Sequence, residues 1–133
     1  MATIKKRDPD YTLNIFHHYN EKTKQDVVVF LVQTTKIFVN FQYEILLEEE
    51  LVGNKISIRI TGLHVPELLL PHTGPAQGRF DHTNLEGQYK LVVTKQDKTV
   101  NEFSVAIASH QVDLLHKPKS PFIIVSGEPV DLS

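Results

Sequence analysis

Seven histidines are the residues of this 133-residue chain best equipped for chemistry: His17, His18, His64, His72, His82, His110 and His116. Neutral imidazole ligates zinc and similar metals, usually with two or more ligands preset by local structure. The useful spacings are roughly two apart on a strand or three to four apart on a helix, and no pair here has either. His17 and His18 are adjacent, so a strand would turn them to opposite faces. His64, His72 and His82 form the one candidate metal set, if a single irregular segment gathers them, with Asp81 as a further ligand. A polar loop with solvated histidines is the plainer reading, and no cofactor is expected.

Arg79, Asp81 and His82, with Asn84 nearby, offer a second constellation. A cation, a carboxylate and an imidazole in one loop suit general acid–base work, and equally a loop whose side chains bond their own backbone. No nucleophile is ordered beside His82. Ser104, Ser109 and Ser120 stand in no nucleophile-elbow context, and Thr73-Gly74-Pro75 lacks the glycine spacing and lysine of a phosphate loop. Glu48-Glu49-Glu50 reads as a solvated loop tip. A non-enzymatic role is the favoured expectation.

Composition narrows the partners. The net charge is −2, with 41% apolar residues and no cysteine. The sequence pI of about 6.4 gives no basic surface, so nucleic acid is not an expected partner. Without cysteine there is no disulfide framework, thiolate catalysis or zinc–thiolate site. Lys5-Lys6-Arg7 reads as a frayed, solvated end, and Asp8-Pro9-Asp10 follows where a signal peptide would need an apolar core. Val27–Val32 is the longest strongly apolar run and is far too short for a membrane span. A soluble, cytoplasmic protein is expected by default.

The elements that must position these side chains read as strands. In Gly87–Thr94 and Phe103–Ile107 the odd-numbered residues are apolar: Gly87, Tyr89, Leu91, Val93, then Phe103, Val105, Ile107. Strand side chains alternate faces, so this is a half-buried hairpin whose opposed residues have numbers summing to an even value. An odd loop of roughly three or five residues around Asp97 follows. Tyr11–His17 alternates, Asn20–Asp26 reads as a turn, and Val27–Val32 as a strand buried on both faces. Lys36–Leu47 alternates throughout, with Ile37, Val39, Phe41, Tyr43, Ile45 and Leu47 on one face. Asn54–Thr61 switches phase to Ile56, Ile58 and Ile60. A loop over Glu48–Leu51 joins the two phases and opposes Tyr43 with Ile56 and Phe41 with Ile58. A tight turn at Gly53-Asn54 would put Glu49 on the apolar face, so the first arrangement is preferred.

Gly62–Glu86, with Pro66, Pro71 and Pro75, is the least regular segment and reads as a long functional loop. Phe122–Val125 adds a final strand. It pairs with its own sheet, with another chain's edge, or stays mobile until a partner binds.

Leu85–Val93, a turn and Phe103–Ile107 together resemble the last two strands of an immunoglobulin-like or fibronectin-type-III-like sandwich, over roughly 25 residues. The resemblance implies that Tyr89 is the tyrosine of a tyrosine corner, its hydroxyl bonding back to the preceding loop. The tryptophan and cysteine pair of antibody domains are missing. The expected fold is a single all-β domain over 1–133, an antiparallel sandwich of roughly seven or eight strands, with a small closed barrel as the alternative. Residues 1–10 read as a flexible N-terminus and 108–133 as a C-terminal extension. The expected function is an interaction module. It meets a protein partner, or a second copy, through the 62–86 loop (Leu68, His72, Arg79, Asp81, His82) or through the C-terminal edge strand. The alternatives are a barrel carrying an apolar ligand and a metal-dependent enzyme built on the loop histidines.

Overall fold

The computed structural model describes residues 9–39, 42–65 and 71–132. They form β1 (Tyr11–Asn20), β2 (Gln25–Phe38), β3 (Glu44–Val52), β4 (Lys55–His64), β5 (Gly74–His82), β6 (Gly87–Thr94), β7 (Val100–Ile107), β8 (Val112–His116) and β9 (Ile123–Ser126). All nine lie in one sheet of order β8-β7-β6-β4-β3-β5-β2-β1-β9. The sheet curls until it is nearly a closed barrel. Its two end strands come together where Gly127 backs onto Val112: a Cβ on Gly127 would lie 2.1 Å from the Val112 carbonyl oxygen. The expectation of seven or eight antiparallel strands in two stacked sheets is corrected in count and in direction. β1 with β9, β3 with β5 and β4 with β6 are parallel pairs.

The β6–β7 hairpin has the expected phase. Gly87 opposes Ile107 and Thr94 opposes Val100, leaving the five-residue loop 95–99. Lys98 takes a positive φ of 70° there, and Asp97 Oδ1 accepts the Thr99 N–H at 3.0 Å. The Tyr89 hydroxyl donates to the Glu86 carbonyl at 3.2 Å, as in a tyrosine corner. Val27–Val32 is buried along its whole length. Val28, Phe30 and Val32 face the main core with Leu13, Ile15 and Ile123, whereas Val27, Val29 and Leu31 join Phe16 in a second cluster on the outer face.

Three expectations are corrected. The alternation of Lys36–Leu47 is not one strand: β2 ends at Phe38 and β3 begins at Glu44. β5 lies between β2 and β3, so the chain must arch over its start. Phe38 and Tyr43 close that arch with ring centroids 4.7 Å apart, while Phe41 lies outside the described residues. The β3–β4 connection is the tight turn at Gly53-Asn54, where Gly53 has φ +58°, a conformation glycine adopts without strain. Leu51 therefore opposes Ile56 and Glu49 opposes Ile58. Lastly, the described residues of the 62–86 segment are largely strand. β4 runs to His64, and β5 turns Ala76, Gly78, Phe80 and His82 inward.

The end of the barrel holding the β6–β7 loop is closed by a buried cation. Lys95 Nζ lies 3.0 Å from Asp10 Oδ2 and 5.1 Å above the Phe122 ring. Asn101 Oδ1 accepts the Phe122 N–H at 2.9 Å, which fixes the entry to β9.

Candidate functional site

β5 separates the residues that sequence reasoning grouped. Alternation puts Arg79 and Asp81 on the outer face and His82 on the inner one. Arg79 donates from Nε and Nη2 to the two Asp81 carboxylate oxygens at 2.9 and 2.8 Å. This bidentate pair holds the guanidinium charged and pushes its pKa up. Arg79 opposes Leu31 and Asp81 opposes Val29, so the pair borders the outer apolar cluster.

His82 points the other way, towards β3. Its Nε2 lies 3.0 Å from Glu49 Oε2, and both side chains are partly screened from solvent. The imidazole stands edge-on to Phe30, at a centroid distance of 5.9 Å, and to Phe80, at 5.6 Å. Phe30 and Phe80 are themselves stacked at 4.7 Å. Glu49 is the carboxylate that the expected Glu48–Leu51 loop would have kept off the apolar face. It is tolerated there because His82 satisfies it.

A second inward histidine was not singled out as a site residue. His17 opposes Val28, and Val28 opposes His82, so the three form one cross-strand row over β1, β2 and β5. The two histidine Cα atoms are two strand spacings apart, about 10 Å. His17 Nε2 lies 2.6 Å from the Ala108 carbonyl oxygen, just past β7. The row thus reaches β3 on one side and the end of β7 on the other. No spacing along the chain signals this, because it rests on the register of the β1–β2 hairpin against β5, a strand distant in sequence.

The candidate metal set is not gathered. His64 ends β4 opposite Glu44. His72 lies just before β5 with its ring against Gly74, where a Cβ would be 2.9 Å from Nε2. His82 ends the same strand, about 26 Å from Gly74 at the usual rise. No group of three or more His, Cys, Asp or Glu side chains suited to a metal occurs among the described residues. Leu68 lies outside the described residues. None of the described hydrogen bonds brings a hydroxyl to His82.

The least continuous part of the sheet is beside this site. Among the described residues a single bridge, Glu44 with Gln77, joins β3 to β5, whereas β3 pairs with β4 along its whole length. Gly78 explains how close the strands come at that corner: a Cβ would lie 2.6 Å from the Ile45 carbonyl oxygen and 2.9 Å from Leu47 Cδ1. Beyond the corner, Glu48–Val52 and Arg79–His82 run on with no ladder between them. The outer side of β3 there is acidic. Glu48 and Glu50, with Ser57, Arg59 and Thr94, line an open depression of about 360 Å³, and Glu48 is paired to Arg59.

No helix among the described residues is long and apolar enough to cross a membrane. Comparison of the chain with protein-family models, with curated proteins and with solved structures gave no match.

Proposed function

We propose that this protein is a single-domain, non-enzymatic interaction module. Its docking edge is the corner between β3 and β5, where an extended segment of a protein partner adds as a strand. The observation that carries this reading is that, among the described residues, one bridge alone joins two nine-residue strands. Unpaired strand edges supply rows of N–H and C=O groups, and added strands use them for affinity. Glu44 and Glu50 make no ion pair among the described residues, so the edge favours a basic segment. β5 belongs to the 62–86 segment, so part of that expected surface is retained, as strand rather than loop. The C-terminal strand is the weaker alternative, since β9 is already paired with β1 and its end rests against β8.

An apolar-ligand carrier is less well supported. The inward face is filled by large side chains, with Leu13, Ile15, Phe30, Ile56, Leu91 and Ile123 at 0% exposure. The immunoglobulin-like parentage has support only at the β6–β7 hairpin and its tyrosine. The test is selection of binders from a library of displayed random peptides, followed by amide hydrogen exchange with a selected peptide. The expected result is slowed exchange in Glu48–Val52 and Arg79–His82, and binding that weakens as salt rises. Protection confined to other strands overturns the reading.

A further inference from the structure

β3 and β5 keep one parallel register, although among the described residues their backbones are bonded only at the start. Glu44 bridges Gln77, and the Gln77 N–H donates to the Tyr43 carbonyl at 3.2 Å. Gly78 meets the Ile45 carbonyl one rung on. Glu49 and His82 stand 33 positions apart, as Glu44 and Gln77 do, so they are directly opposed further along the same register. At that rung a side-chain bond stands where a ladder would carry backbone bonds.

Both side chains face inward: Glu49 opposes Ile58 on β4, and His82 opposes Val28 on β2. The surroundings are apolar. Phe30 and Phe80 hold the imidazole edge-on. His17, the other histidine of this row, is bonded to the Ala108 carbonyl instead. Among the described residues, His82 is the one basic side chain paired with Glu49. A partly screened carboxylate is costly to leave without a partner.

We propose that Glu49 is the anchor for a cationic side chain of the partner strand, and that His82 holds its place while the seam is empty. The proposal rests on strand addition at the β3–β5 seam and names the residue type that such addition selects. A strand lying between β3 and β5 alternates its side chains, so one of them points inward at the Glu49–His82 rung. A lysine or arginine there brings a full charge to Glu49, and an ion pair screened from solvent is stronger than one at the surface. The displaced imidazole keeps its ring contacts with Phe30 and Phe80. An apolar or acidic side chain at the same rung leaves Glu49 unsatisfied, and that penalty is the source of discrimination. The two members of the pair therefore act in opposite senses on binding, although both contribute to stability.

The probe is a library peptide that protects Glu48–Val52 and Arg79–His82 from exchange, labelled with fluorescein and titrated by anisotropy into full-length variants. Glu49→Gln should bind it at least about tenfold more weakly, because the charged acceptor is gone. His82→Phe keeps a ring against Phe30 and Phe80 but gives up the bond. It should bind about fivefold more tightly, because nothing competes for Glu49. Both variants should melt below wild type. A merely structural pair would move both affinities in the same direction. Replacing each basic residue of the peptide in turn by glutamine should yield one peptide that no longer distinguishes Glu49→Gln from wild type. Weaker binding to His82→Phe, unchanged binding to Glu49→Gln, or no such peptide would overturn the anchor and leave strand addition standing. If no library peptide protects the seam, strand addition falls and the anchor falls with it. If His82→Phe does not fold, His82→Leu takes its place with the same expected gain.

Discussion

Glu49 and His82 are each an awkward residue for the inward face, and together they are a satisfied one. Removing one partner leaves the other screened and unpaired, which typically costs more than the bond itself contributes. Both side chains keep some exposure, 32% for Glu49 and 19% for His82, so the effect is at the modest end. Glu49→Ala should lower unfolding free energy by about 1 kcal/mol in urea titration, and Glu49→Gln, which keeps an acceptor, by less. Equal stability of Glu49→Ala and wild type would mean that the pair ties nothing. Tyr11 gives a pH signature. Burial, with the neighbouring Asp10 carboxylate, raises its phenol above the ordinary value of 10.0. The unfolded chain ionises first, so this contribution is whole below pH 10 and is lost as pH climbs through the folded value. Thermal melts should show stability falling above that pH, with a shallower fall in Tyr11→Phe. At this scale little was legible in the sequence. Arg79, Asp81 and His82 are neighbours along the chain, but period-two geometry sends them to opposite faces, and the partner of His82 lies on another strand.

The pairing of one hairpin was readable, and the pairings that join strands across the chain were not. The β6–β7 hairpin declares its register through the phase of Leu91, Val93, Phe103 and Val105, and the structure keeps that register. β5 hid because Gly74, Pro75 and Gly78 look like loop punctuation. In the fold Pro75 sits at the strand's start and Gly78 lets β3 cross close by. Gly78→Ala should therefore press on the Ile45 carbonyl and force β3 outward. The expected loss is about 1–3 kcal/mol, with faster amide exchange at Ile45–Leu47, and unchanged exchange there would contradict the close approach. The tight turn was misjudged for a different reason. Keeping a lone carboxylate off an apolar face is sound, but Glu49 is not alone.

For the whole molecule, the period-two alternation limited the possibilities as far as an all-β chain, and stopped there. The order of strands depends on which edges meet, and three of the pairings are parallel and distant in sequence. Such non-local pairing pays loop-closure entropy before its contacts form, so refolding belongs to the milliseconds-to-seconds regime. Stopped-flow fluorescence with the tyrosines as reporters should find it there. A microsecond refolding phase carrying the full amplitude would be inconsistent with this topology.

Gly78 and Gly127 mark two close approaches of the backbone that leave no room for a side chain. Together they are the positions that relatives of the same fold are expected to keep as glycine. Core positions can exchange one aliphatic residue for another until similarity fades, but a corner with a carbonyl 2.6 or 2.1 Å from the missing Cβ admits only glycine unless the strands separate. A search for remote kin is therefore better weighted on these two positions, each set against its own strand pattern, than on overall identity.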